Sequence, residues 1–436
     1  MRKKFQLFYK IFNFRYFGFV EGHNHHSIFK MFNIFSFIFK KNKKIRTEYE
    51  LNFASLIGKG RAFSYASCRM AFFNILQAMN VSKGDEVIIL GHTCSVMVNA
   101  ILRTGATPVF SDIDERNFGS CPHSIKSKIS KKTKVILAQH SFGIPCDIVE
   151  IQKIAQAHKV FLIEDCALTL SSKIKNKSIG CFGDAALFST DHSKPINTLI
   201  GGIAYSTDSE LIKKIEILHD NCPEIPVLKQ IAIIIRIFLE RFFCDASRNG
   251  LFTVMDLFCN HIYKKFPNTN PFLEHDSGLI SNSPYYYYPS KLPVFLSVLG
   301  IYELQRWNKI KEERVRLLES SKLALSKQRG IKLPEAYFDK SLEIVPLRII
   351  FTTKERDELF KSDFKNFINI SWTWFMRPIV CASVPLSSLG YEAGSCPKSE
   401  KACAQIANIP WKVPTSEYPK IFDSLNSITK AKFLDS

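Results

Sequence analysis

The sequence has no Cys-x-x-Cys pair. Its twelve cysteines, among them Cys68, Cys94, Cys166 and Cys381, stand singly, so neither a paired-thiolate metal finger nor a dithiol redox site is indicated. They read as reduced, mostly buried thiols, which points to a cytoplasmic protein. Acidic residues are also in short supply. Forty Asp and Glu against 59 Lys and Arg leave a formal charge of +19, and that balance favours contact with nucleic acid, an acidic membrane surface or a phosphorylated substrate. With no zinc-finger spacing, RNA-binding signature or helix-turn-helix pattern, nucleic acid is not an expected partner. Long apolar runs are missing too. Lys10, Asn13 and Arg15 break the first N-terminal apolar patch, where a secretory signal needs an unbroken core, and Lys30 interrupts the second, 28–39. That patch falls well short of the roughly 20 residues that span a bilayer.

What is present is enough apolar material for a large core: 436 residues, 46% of them hydrophobic. We divide the chain into a basic aromatic N-terminal extension (1–46), a large domain (47–222), an inserted apolar helical hairpin (223–284), and a linking helix with a small C-terminal domain (285–436). The extension mixes Phe, Ile and Tyr with Lys and Arg. Such segments lie on anionic membrane surfaces, giving a peripheral position on the inner face of the membrane, or else they pack on the body or on a partner subunit. His23, His25 and His26 read as a polar connector and not as a metal site, because no neighbouring carboxylate or cysteine completes a ligand set. The hairpin, 227–243 and 251–266 joined by a turn at 247–250, is too charged and too short to span a membrane. It can be a dimer contact, a cover over the site, a membrane-surface element or ordinary core.

Between these segments apolar runs alternate with helical patterns. Strands are expected at 87–90, 108–114, 135–140, 160–163 and 185–188, and helices at 72–79, 124–129 and 148–157. This is βαβ alternation and predicts a mostly parallel sheet. Asp165 follows the run 160–163, which places its carboxylate at the C-terminal tip of a buried strand, where open α/β sheets hold ligands. Ser189 follows the next strand, and Lys194 lies in a loop containing Pro195 and closed by Gly201 and Gly202. A desolvated lysine is a ready nucleophile toward a carbonyl, and a carboxylate can hold a pyridinium nitrogen protonated. Ser67 opens a helix whose free N–H groups form an anion site, or else it is an ordinary N-cap. His140 can touch Asp165 or a substrate, or be satisfied locally.

The order Glu164-Asp165-Cys166-Ala167, Gly180-Cys181-Phe182-Gly183-Asp184, Phe188-Ser189, Ser193-Lys194-Pro195, Gly201-Gly202 closely resembles the DegT/DnrJ/EryC1/StrS family of sugar aminotransferases. His140-Ser141-Phe142-Gly143-Ile144-Pro145 is similar to the family's His-x-x-Gly-x-Pro turn. The likeness resumes at Tyr285 and runs through the helix around 299–314 to Ile409-Pro410-Trp411. The resemblance implies an aspartate-aminotransferase-like fold of pyridoxal-enzyme type I, with a seven-stranded sheet, a small C-terminal α/β domain and a homodimer with the site at its interface. It implies pyridoxal 5'-phosphate held covalently by Lys194. Asp165 would face the ring nitrogen, and Ser67, Cys68, Arg69 and Ser189 the phosphate. Cys68 stands where the family has glycine, Leu168 where it has Gln or His, and Leu199-Ile200 where it has a Gly-acid pair. His92 or Cys94 would cover the cofactor face, and Lys291, after Pro289 and Ser290, replaces the family's Asn and Arg from the neighbouring subunit. The implied activity is transfer of an amino group from an amino acid to a nucleotide-linked keto-sugar, for surface polysaccharide or glycosylated products. Sugar dehydratases of the family replace the lysine by histidine, so Lys194 favours amination. A non-catalytic, membrane-associated relative is the remaining alternative.

Overall fold

The structure, a computed structural model, describes residues 17–20, 22–245, 249–273, 278, 280–360, 368, 370, 374–419 and 423. Residues 1–16 of the first basic aromatic patch and residues 247–248 of the hairpin turn lie outside the described residues.

Seven strands form one sheet: β1 (Arg61–Tyr65), β2 (Glu86–Leu90), β3 (Thr107–Ser111), β4 (Thr133–Gln139), β5 (Phe161–Asp165), β6 (Ala185–Ser189) and β7 (Gly202–Ser206), in the spatial order β1-β7-β6-β5-β4-β2-β3. Only β7 runs against its neighbours; the other four pairings are parallel. The strands are apolar over most of their length, as the continuous runs require when helices cover both faces. Registers Gln139↔Asp165 and Asp165↔Leu187 bring the C-terminal ends of β4, β5 and β6 side by side.

The longer helices among the described residues are α1 (Ile28–Phe35), α2 (Lys43–Ile57), α3 (Cys68–Ala78), α4 (Ser95–Arg103), α5 (Pro122–Lys128), α6 (Ile148–His158), α7 (Ser209–Asn221), α8 (Val227–Phe243), α9 (Asn249–Lys265), α10 (Val294–Leu325) and α11 (Pro397–Gln405). The caps are legible: Ser27 accepts from Lys30 N, Asn42 from Ile45 N and Asp208 from Leu211 N, each satisfying an otherwise orphaned N–H. The 32-residue α10 joins two cores. Its first turns bury Phe295, Leu296 and Leu299 against the sheet domain, and its last turns bury Leu318 and Leu325 against β8 (Ile349–Thr352) and β9 (Ile406–Ile409), an antiparallel pair in the C-terminal region. Gly300 permits the α2 contact, since a Cβ there would sit 2.3 Å from the Tyr49 ring.

The hairpin α8–α9 is held by charge as well as apolar packing. Arg236 bonds Glu240 at 2.8 Å within α8 and Asp256 of α9 at 2.7 Å. Among the described residues no helix is long and apolar enough to cross a membrane.

Candidate active site

Side chains alternate along β5, so Glu164 and Asp165 serve opposite faces. Glu164 is fully buried and accepts N–H bonds from Gly180, Phe182 and Gly183, with His140 Nε2 at 3.2 Å. It therefore folds the Gly-Cys-Phe-Gly segment beneath the sheet. Asp165 points into a cavity of about 1080 Å³, and one of its oxygens accepts from Ala167 N at 2.9 Å. Burial raises its carboxyl to about 6, against the opposing pull of the Ala167 bond and the Lys194 charge.

Lys194 is delivered by a self-closed loop. Thr190 and Thr198 hydroxyls lie 2.7 Å apart, Thr198 N donates to Thr190 O at 2.8 Å, and Lys194 N donates to Asp191 O at 2.9 Å. Leu199 takes φ +66° and Gly201 φ +150°; a Cβ on Gly201 would meet Thr190 Oγ1 at 2.2 Å. Only glycine fits there. The Lys194 side chain is buried in the cavity wall with Nζ 4.9 Å from the centre of the Trp374 ring. Burial lowers its pKa; Asp191 acts in the opposite sense, and buried Arg348 adds to the lowering. A lowered pKa makes Lys194 a readier nucleophile than an exposed lysine.

The N-terminus of α3 opens into the same cavity. Ser67 is extended and makes no cap bond, and its hydroxyl is buried with no hydrogen-bond partner among the described residues, as is that of Thr93 on the cavity wall. Unpaired N–H groups, an idle hydroxyl and the helix dipole form an anion cradle. Gly202 makes the cradle possible: a Cβ there would lie 2.2 Å from the Cys68 N and Cα atoms. Ser189 lines the cavity from the end of β6, its Oγ 3.5 Å from Asp191 N. Idle hydroxyls at a helix N-terminus, a buried lysine and a strand-end carboxylate fit pyridoxal phosphate in donor type and number.

Other expected residues fall differently. Cys68, Arg69 and Cys94 line the cavity, but Arg69 donates to Leu273 O and so is already engaged with the chain leaving the hairpin. Cys94 faces Cys381, whose thiol is lowered to about 7, first by the Cys94 hydrogen bond and then by Arg377 and Lys194. His92 is a correction: it is fully buried against Phe375 at 4.0 Å and does not reach the cavity, because the short strand Thr93–Cys94, paired with Ile379–Val380, turns it toward the second core. His140 is likewise satisfied locally, by Glu164 and by Cys146 N at 3.1 Å, and touches neither Asp165's carboxylate nor the cavity. Lys291 does not line its own chain's cavity; it borders a separate cleft and donates to Asp220 O at 2.7 Å. Leu168 is on the wall, as is Trp374, which sequence reasoning missed because nothing local marks it.

The structure also settles what covers the site within this chain. Phe17, Phe19 and Val20 of the extension and Phe252, Asp256 and Leu257 of the hairpin complete the cavity wall. Cys244 donates to Val20 O, Asn24 to Asp245 at 2.7 Å, and Phe238 of α8 stacks on Phe35 of α1 at 4.7 Å. Extension and hairpin thus form one layer over the cavity.

Sheet order, strand-end carboxylate, loop lysine and anion cradle define an aminotransferase-type α/β scaffold of fold type I. The comparisons narrow this. Residues 38–225 match the model of the DegT/DnrJ/EryC1/StrS aminotransferase family. The segment is 37% identical over 178 residues to the spore coat polysaccharide biosynthesis protein SpsC of Bacillus subtilis, covering 41% of this chain and 46% of that protein. It is 36% identical over 176 residues to a GDP-perosamine synthase of Escherichia coli, covering 40% and 46%. The chain therefore spans about half the length of these relatives. The fold likeness is wider: the aminotransferase TlmJ from Streptoalloteichus hindustanus superposes with a TM-score of 0.70 at 18% identity, covering 96% of this chain and 100% of that one. The sequence match stops at 225, short of the renewed likeness expected after Tyr285, whereas the fold continues to the C-terminal region.

Proposed function

We propose that the chain is a pyridoxal 5'-phosphate-dependent aminotransferase that moves an amino group from an amino-acid donor to a nucleotide-linked keto-sugar, in the making of surface polysaccharide or glycosides. The observation that carries this reading is the convergence of buried Lys194, Asp165 and the unpartnered Ser67 hydroxyl in one cavity. When bound, pyridoxal phosphate supplies an electron sink beside the substrate carbon. The chain's own residues do the rest. Ser67, the α3 N–H groups and Ser189 would hold the phosphate, and the Asp165 carboxylate would accept a hydrogen bond from the ring N–H. Lys194 Nζ, its pKa lowered by burial, would hold the cofactor covalently and serve as the group that accepts and returns the proton. Trp374 and the layer of extension and hairpin exclude water.

Names of relatives support the substrate class: a GDP-perosamine synthase and a UDP-N-acetyl-3-dehydro-α-D-glucosamine 3-aminotransferase both act on nucleotide sugars by name. A homodimer completing the mouth of the site, and a cytoplasmic enzyme resting peripherally on the membrane through exposed Phe29, Phe32 and the outer face of the hairpin, belong to the same proposal. The test is direct. Full-length protein incubated with pyridoxal phosphate should develop a visible band that borohydride bleaches, with the reduced adduct mapped by mass spectrometry to Lys194. No band, or an adduct unaffected by Lys194→Ala, would rule the reading out.

A further inference from the structure

Three histidines close together in the N-terminal segment meet a carboxylate from far along the chain. His25 Nε2 and His26 Nε2 each lie 2.6 Å from Glu303 Oε1 of α10, and 3.1 Å from one another. His23 joins them, its ring stacked on that of His26 at 6.2 Å. One ligand atom from each of the four residues lies within 4.8 Å of all the others. His23, His26 and Glu303 are 0%, 2% and 2% exposed.

Hydrogen bonding does not satisfy this cluster. Neither nitrogen of His23 has a hydrogen-bond partner among the described residues, and the Nδ1 atoms of His25 and His26 have none either. Two Nε2 atoms converge on a single carboxylate oxygen while facing each other, so N–H groups on both would point their protons together, and a lone pair on either would face the carboxylate. Buried polar groups in this state are costly. A cation at the point of convergence resolves the conflict, because every Nε2 lone pair and Oε1 then points at positive charge. The other Glu303 oxygen is held by Arg306 Nη1 at 3.3 Å, the kind of outer partner that orients a ligating carboxylate. Tetrahedral coordination at about 2.0–2.1 Å sets donors roughly 3.3 Å apart, so the two Nε2–Oε1 contacts of 2.6 Å would open slightly while the more distant donors, all within 4.8 Å, draw in.

We propose that His23, His25, His26 and Glu303 form a closed structural site for a divalent transition metal of the zinc type. Three imidazoles and one carboxylate are donors suited to such an ion, and four protein ligands leave no open position for catalysis. Its role follows from its place. The site pins residues 23–26 to α10, and the residues just before them, Phe17 to Val20, wall the cavity. Gly22 lies close against Glu240 O and Cys244 of the hairpin. The metal thus anchors the extension as the cavity's cover. This inference does not depend on the proposed activity.

A second buried group, His140, Glu164 and Cys166, has the same geometric compactness, but Glu164 is fully engaged by three backbone N–H groups and His140 by Glu164 and Cys146 N. It serves as the control. Full-length protein, stripped with chelator and titrated with cobalt(II), should bind one ion per chain with the intense visible bands of a tetrahedral site, and zinc should displace them. His23→Ala and Glu303→Gln should each weaken binding at least tenfold, with circular dichroism confirming the fold, while Cys166→Ser should leave it unchanged. Absence of a tetrahedral cobalt spectrum from wild-type protein would overturn the proposal whatever the variants do. So would binding that survives both cluster variants or is lost with Cys166.

Discussion

The Phe19 ring lies 3.9 Å from the Arg348 guanidinium, face to cation, deep beside the Lys194 loop. Arg348 is 2% exposed, and burial holds its pKa well below the usual arginine range. The contact joins the N-terminal extension to the C-terminal region directly over the candidate site. Phe19→Ala should therefore cost about 3 kcal/mol in denaturant unfolding, the usual penalty for emptying a buried phenylalanine site. It should also speed the reaction of Lys194 with added pyridoxal phosphate, followed by growth of the visible band, because the wall between solvent and Nζ is thinned. Unchanged stability and rate would show that Phe19 seals nothing.

Asp165 makes a prediction whose sign depends on the cofactor. Its carboxyl is raised to about 6 by burial, so between its unfolded value near 4 and pH 6 the folded chain binds a proton that the unfolded chain does not. Stability from this group is complete below pH 4 and is lost as pH rises through 6. Without cofactor, Asp165→Asn should remove that cost and be more stable than wild type by ~1–3 kcal/mol at pH 7.5, the gap closing near pH 4. With pyridoxal phosphate added, wild type should gain more than the variant, since only the carboxylate can pair with a protonated ring nitrogen. Thermal melts at the two pH values, with and without cofactor, provide the check.

The parallel strands β2 to β6 are legible as the unbroken apolar runs that burial on both faces requires, whereas β1 and β7, the antiparallel end of the sheet, are not among the expected runs. Asp165, Ser189 and Lys194 were legible because each sits within a few residues of a strand end, where local sequence fixes position. What could not be read depends on contacts distant in the chain. Glu303 meets His26 across 277 positions, so the triplet looked like a connector lacking a carboxylate. Arg348 and Trp374 reach Lys194 only through the packing of the C-terminal region. Of the pair His92 or Cys94, only Cys94 lines the cavity, because the pairing of Thr93–Cys94 with Ile379–Val380 sets their directions and leaves no local signal. The hairpin's helices were placed correctly, but their role as cover required the partner segment 17–24 to be seen against them.

Arg236 is the pivot of that cover. It pairs with Glu240, which is fully buried, and with Asp256 of the second hairpin helix. Arg236→Ala leaves an uncompensated buried carboxylate, a defect worth about 3–5 kcal/mol. The hairpin amides should exchange faster with deuterium than those of the sheet strands. Arg236→Met combined with Glu240→Leu should recover most of the loss, since an apolar pair of similar volume replaces the ion pair. If the double variant is as unstable as the single one, the stability of the hairpin resides elsewhere.

The closest fit in the anion cradle is between Gly202 and Cys68. The first residue of β7 passes so near the first residue of α3 that a Cβ on Gly202 would overlap Cys68 N and Cα at 2.2 Å, and Ser67 C at 2.5 Å. These are backbone atoms, which cannot swing aside as a side chain can. Gly202→Ala must therefore push the start of α3 away from the sheet, and the N–H groups and Ser67 hydroxyl that face the cavity move with it. Anion binding by such a cradle depends on converging donors. The variant should bind pyridoxal phosphate at least tenfold more weakly while Lys194, on its own closed loop, remains able to react at high cofactor concentration. Cys68→Gly should act in the opposite sense on a Gly202→Ala background only if the clash involved the cysteine side chain; because the overlap is with its backbone, no rescue is expected. Titrations of the visible band for the single and double variants separate the two outcomes.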